Sequence, residues 1–155
     1  IMKKESFAKL EKNLMMFYAG EVRDANNILA KETKNLATDE DKINATKKLC
    51  EMTKRLKAEF ENNNVDALGP ILKEGWELKK SLANGITNPL SDEAYEKAMK
   101  AGASGGKLLG AGGGGFLLFY VNSDEKKDAV RKALSNLKEM PFELDQAGCS
   151  IIFME

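Results

Sequence analysis

The stretch from Gly102 to Gly115 holds eight of the chain's thirteen glycines, and four of them, Gly112 to Gly115, are consecutive. Each glycine in an ordered segment costs roughly 0.5–1 kcal/mol of conformational entropy relative to alanine. A tight turn needs one or two, so a run of four requires more. Either the backbone runs through conformations closed to other residues, or something approaches it where a Cβ would collide: an anion cradled by bare amides, or a neighbouring loop. The unbroken apolar run Phe116 to Val121 follows at once and reads as a buried strand. The chain must therefore build a sheet whose glycine hairpin sits at its end.

Composition narrows what surrounds that sheet. With 155 residues and 43% hydrophobic content, residues 1–155 make one domain with a substantial core. The 24 basic and 24 acidic side chains balance, so no global field draws the chain to nucleic acid or anionic lipid. Cys50 and Cys149 lie far apart in sequence and in apolar surroundings, which suggests buried, reduced thiols and a cytoplasmic location. No apolar stretch approaches the ~20 residues that span a bilayer, and no signal peptide is legible. Ile1 before Met2 reads as a start inside a longer protein. There is no histidine, which removes histidine-based nucleophile pairs, general bases and zinc ligands. No metal site and no catalytic residue are expected in this chain.

Periodicity gives a helical first two-thirds and a mixed final third. Ser6 to Leu14 forms a short helix, and Leu14 to Tyr18 either continues it or turns to strand. Arg23 to Leu36 places Ala25, Ile28, Leu29 and Leu36 on one face. The segment Thr38 to Asp41 caps a long helix with Ile43, Thr46, Leu49, Cys50, Thr53, Leu56 and Phe60 inward. Val65 to Ala83 is helical, with Pro70 either in its first turn or at a kink. Ser91 caps a helix running to Lys100, and Ser123 caps another to Leu137. Strands are expected at Phe116–Val121, Phe142–Leu144 and Cys149–Phe153. This order predicts an α+β domain in which helices cover one face of an antiparallel sheet.

Three phosphate-binding motifs fit the glycines poorly. Gly110, Gly112 and Gly115 match a dinucleotide fingerprint, but that motif opens a helix, and here a strand follows. A Walker A reading fails because Ala101 and Leu108 occupy positions that need Gly and Ser or Thr. The protein-kinase glycine loop fits a strand–turn–strand, yet its partner catalytic loop needs a histidine.

The run Lys107-Leu-Leu-Gly-Ala-Gly-Gly-Gly-Gly-Phe116 resembles instead the third, C-terminal motif of the GHMP small-molecule kinases. Upstream, Trp76 to Lys80, Ile86 to Asn88 and Gly102 to Lys107 are similar to the sugar-kinase branch that acts on D-glycero-D-manno-heptose 7-phosphate. Ala19 departs from that branch, which usually carries threonine there. The resemblance implies a GHMP kinase C-terminal domain, a ferredoxin-like antiparallel sheet covered by helices with extra N-terminal helices, that lacks the N-terminal ATP-binding and catalytic domain. That partner domain, ATP and Mg2+ would belong to the full-length parent, whose reaction is phosphorylation of the heptose 7-phosphate at its anomeric hydroxyl. The phosphate or substrate loop it implies is Lys107, Gly110, Ala111, Gly112, Gly113, Gly114 and Gly115.

Around that loop, Arg23, Trp76 and Lys79 are candidate substrate-binding residues. Arg23 can grip a phosphate with two N–H groups or make a surface ion pair. Trp76 suits a core position as well as ligand stacking. Lys79 and Lys80 suit solvent, although Lys79 can reach a sugar phosphate. A non-catalytic ligand-sensing or assembly domain of ferredoxin-like fold is the alternative. An apolar face left by a missing domain predicts self-association, with a homodimer as one form.

Overall fold

The computed structural model describes residues 2–20 and 25–146. It comprises helix α1 (Lys4–Asn13), strand β1 (Leu14–Tyr18), α2 (Ala25–Thr38), α3 (Glu40–Glu61), a 3-10 turn (Val65–Ala67), α4 (Leu68–Leu82), α5 (Pro89–Lys100), β2 (Gly105–Leu108), β3 (Phe116–Tyr120), α6 (Asp124–Ala133) and β4 (Lys138–Glu139). The strands form one antiparallel sheet in the order β2-β3-β1-β4. Together with the crossing helices, that order is the ferredoxin-like arrangement that the family resemblance implies, with α1 to α4 added to it.

Period-two alternation explains which face of the sheet is sealed. Phe17 pairs with Leu117 and Met15 with Phe119, and Leu108 pairs with Leu117 on the other side. These five side chains are at most 2% exposed and cluster with Ala94, Ala98, Val130 and Leu134 of α5, α6 and the residue after α6. Burying each large side chain is worth about 1.5–3 kcal/mol. The opposite face is closed at one end, where Leu10, Val65 and Leu68 meet Tyr120. There the Tyr120 hydroxyl donates to Asp66 at 2.7 Å and accepts from Asn13 Nδ2 at 3.1 Å, while Lys9 pairs with the other Asp66 oxygen. Burial pushes the Tyr120 phenol up to about 12, so the network holds a neutral hydroxyl.

The α3–α4 pair lies against the β2 edge. A Cβ on Gly105 would fall on the Gly69 carbonyl, so the first turn of α4 meets β2 backbone to backbone. Pro70 sits in that first turn, where its missing N–H has no helical partner to lose.

Several expectations need correction. Cys50 is exposed. The buried stripe of α3 runs through Ala45 and Met52, so Cys50 and Thr53 lie round the helix from it. Leu29 is 46% exposed, unlike its neighbour Ile28. Asn88, not Ser91, caps α5, and α6 stops at Ala133, with Leu134 and Leu137 still joining the core.

The sheet's last described strand is Lys138–Glu139 rather than Phe142–Leu144. Met140 donates to Met16 at 2.8 Å, and Pro141 then has no N–H to continue the ladder. The strand expected at Cys149–Phe153 and the start of the second helix at Arg23 lie outside the described residues. Among those residues, no helix is long and apolar enough to cross a membrane.

Candidate functional site

The glycine hairpin joins β2 to β3, and its backbone fits only glycine. Gly112, Gly113, Gly114 and Gly115 all have positive φ, at +102°, +81°, +154° and +100°. A Cβ on Gly112 would also strike the carbonyl of Ile86. What approaches the hairpin is thus a neighbouring loop, the turn between α4 and α5.

That turn grips Gly113 from both sides. The Gly113 N–H donates to the Ile86 carbonyl at 2.8 Å, and the Gly113 carbonyl accepts from Asn88 Nδ2 at 3.0 Å. The other end of the Asn88 amide, Oδ1, accepts the Ser91 N–H at 2.9 Å and caps α5. Asn88 is extended because Pro89 follows it, and Pro89 is a favourable first helical residue. The Asn-Pro pair therefore fixes the helix start and the hairpin with one side chain.

On its far side the hairpin extends the sheet. Ala19 donates to Gly115 O at 2.7 Å, and Gly115 donates to Gly20 O at 3.3 Å. The Gly113 and Gly115 amides are thus committed within the domain, and what the loop presents is a fixed backbone shape.

Lys107, Lys79 and Trp76 meet at a different place, beside Gly110. They line a cavity of about 380 Å³ between α3, α4 and β2. Lys107 is half-buried on β2, and desolvation, followed by the charge of Lys79, holds its ammonium below the usual lysine range. Lys79 is not solvated as expected: it pairs with Glu32 of α2 at 2.6 Å, and Asn35 anchors the same helix to the Leu82 carbonyl at 2.8 Å.

Trp76 is a core residue, 2% exposed. Its ring continues through Tyr95 at 6.3 Å to Phe119 at 5.9 Å from Tyr95, contacts that fix its position. The sequence-predicted residues thus divide into a hairpin group, Ala111 followed by Gly112 to Gly115, and a cavity group of Lys107, Gly110, Lys79 and Trp76. Arg23 lies outside the described residues.

Two residues that the sequence reading did not place at the site are Asn88 and Glu32. The Asn88-Pro89 pair carried a legible capping signal, whereas Glu32 meets Lys79 only through the tertiary fold. Among the described residues, no three acidic or thiol side chains converge as a metal site.

A family described as GHMP kinases, C terminal, matches residues 56–139, from the end of α3 through β4. The chain belongs to this family.

The wider relatives agree with that assignment. A bifunctional fucokinase/GDP-fucose pyrophosphorylase of Arabidopsis thaliana is 35% identical over 85% of this chain, which spans 12% of that relative. A D-glycero-alpha-D-manno-heptose 7-phosphate kinase of Campylobacter jejuni is 26% identical over 87% of the chain, which spans 40% of it. The crystal structure of L. major mevalonate kinase in complex with R-mevalonate shares the fold, with a TM-score of 0.70 at 16% identity. The match covers 81% of this chain and 40% of that one. The chain thus spans two fifths or less of each of these relatives.

Proposed function

We propose that this chain is the C-terminal domain of an ATP-dependent sugar kinase that transfers the γ-phosphoryl group of ATP to the anomeric hydroxyl of D-glycero-D-manno-heptose 7-phosphate. An N-terminal domain of the same polypeptide would hold ATP, Mg2+ and the residue that orients the sugar hydroxyl. The observation that carries the reading is the glycine hairpin, clasped by Ile86 and Asn88 in a chain of this family. Phosphoryl transfer depends on placing groups and stabilising charge, and a rigid wall without side chains lets another loop come close.

In this proposal the chain's own residues do positioning work. Asn88 and Ile86 hold Gly113, Gly20 and Ala19 hold Gly115, and the wall so fixed sets how near the phosphate-binding loop of the other domain can lie. No proton transfer is assigned to a residue of this chain. L-fucose is a second sugar to consider, because the 35% identical relative is a fucokinase.

The test is a coupled assay of the full-length protein with ATP and Mg2+, using heptose 7-phosphate and L-fucose in parallel. Preferential turnover of the heptose phosphate supports the reading; preference for L-fucose overturns its substrate, and no turnover of either sugar overturns it altogether.

A further inference from the structure

The cavity beside Gly110 has the makings of a ligand site in its own right. Leu49, Met52 and Leu56 of α3 and Ile71 and Leu72 of α4 supply apolar walls, and Lys107 enters from β2. The Lys107 side chain makes no ion pair and no hydrogen bond among the described residues, whereas Lys79, at the same cavity, already has Glu32. The local balance is therefore one uncompensated positive charge in an apolar recess.

A second observation concerns a donor. Trp76 lines the cavity, and its Nε1–H is buried without a hydrogen-bond partner. Buried donors are ordinarily satisfied, and a lysine carried into apolar surroundings without an anion loses solvation that nothing in the domain returns. A structural lysine at this place would extend its head to water, yet Lys107 is only half-exposed and lies near a second cation.

We propose that the cavity between α3, α4 and β2 binds a singly charged amphipathic anion, with its anionic head on Lys107 Nζ and its apolar body between Leu49, Met52, Leu56 and Leu72. The site is separate from the clasped face of the glycine hairpin. Of the loop between β2 and β3 it touches only Gly110. The inference does not depend on the sugar-kinase reading, because it rests on this chain's own cavity.

Trp76 is the chain's single tryptophan, so its fluorescence reports occupancy directly. The chain is titrated with octanoate, and in parallel with octanol, which has a tail of the same length and no charge. We expect a saturable Trp76 response to octanoate in about the millimolar range, and binding of octanol at least about tenfold weaker, the loss of one charge-assisted contact. Lys107→Met should bring octanoate down to the octanol level, Lys107→Arg should keep the preference, and Lys132→Met, remote on α6, should bind as the parent does. Gly75→Leu, which fills the cavity from α4 and leaves Lys107 in place, should abolish the response and decides the matter should Lys107→Met fail to fold. Equal affinity for octanol and octanoate, octanoate binding undiminished in folded Lys107→Met or Gly75→Leu, or no saturable response at all would each overturn the proposal.

Discussion

At Gly112 an added methyl group would meet the Ile86 carbonyl, and the backbone φ of +102° already disfavours any L side chain. Positive φ alone costs about 1–2 kcal/mol, so Gly112→Ala is expected to lower the urea midpoint by more than that equivalent, because the Ile86 turn must also shift. Gly113, at +81°, falls under the same constraint, and a β-branched residue there would destabilise the domain itself. Gly75 presents the contrary case, since it lies inside α4 with negative φ. Its added Cβ would meet Met52 Cε at 3.4 Å and Leu49 Cδ2 at 3.7 Å, ordinary contacts. Removing a helix-interior glycine should then raise stability by about 0.5–1 kcal/mol, read as a higher urea midpoint for Gly75→Ala. Sequence alone showed that the glycine run was exceptional. It did not show that a second loop, Ile86–Asn88, was the thing brought close, because that neighbour is set by where α4 ends relative to β2.

Between elements, Asn88 joins the start of α5 to the hairpin through the two ends of one amide. Asn88→Ala loses the cap and leaves the Gly113 carbonyl without its partner; we expect about 1–2 kcal/mol of destabilisation in chemical denaturation. Asp66 ties α1 to β3. The Lys9 hydrogen bond, opposed in part by desolvation and helped by the Tyr120 hydroxyl, holds its carboxyl below the usual range. A depressed carboxylate stabilises the fold above its unfolded pKa of about 3.9 and loses that contribution as pH falls through the folded value. Asp66→Asn should therefore be less stable than the parent at pH 7, with the gap narrowing below about pH 4 in pH-resolved urea titrations. The strand β3 and the α+β class were legible from the unbroken apolar run and the glycine break, whereas Leu14 to Tyr18 read equally as helix or strand and the ferredoxin-like topology came with the family resemblance. The misreadings share a cause. A helix face turns by 100° per residue, so Cys50 beside Leu49 could be placed inward from its flanks alone. At β4 the apolar Phe142 outweighed Lys138 and Glu139, although Pro141 was the residue that limited the ladder.

For the molecule as a whole, the helices and the sheet pack into two apolar clusters within the described residues, while the proposed phosphoryl transfer assigns ATP, Mg2+ and the group that orients the sugar hydroxyl to another domain. The chain alone is expected to show no transfer from ATP to heptose 7-phosphate or L-fucose above background in a coupled assay. Its family was legible from Lys107 to Phe116, a run in which positive φ at Gly110 and Gly112 to Gly115 disfavours any residue but glycine. The division of the candidate site into hairpin and cavity was not legible, since Lys107 and Gly113 are close in sequence yet face different neighbours. The most direct measurement is kcat/KM of Asn88→Ala in the full-length kinase, made where circular dichroism shows the variant folded. A hairpin that positions the phosphate loop should drift once Asn88 lets go of Gly113, and a displacement of ~1 Å costs about a hundredfold in rate; we expect a fall of that order. A folded Asn88→Ala enzyme with unchanged kcat/KM would contradict the role assigned to the hairpin.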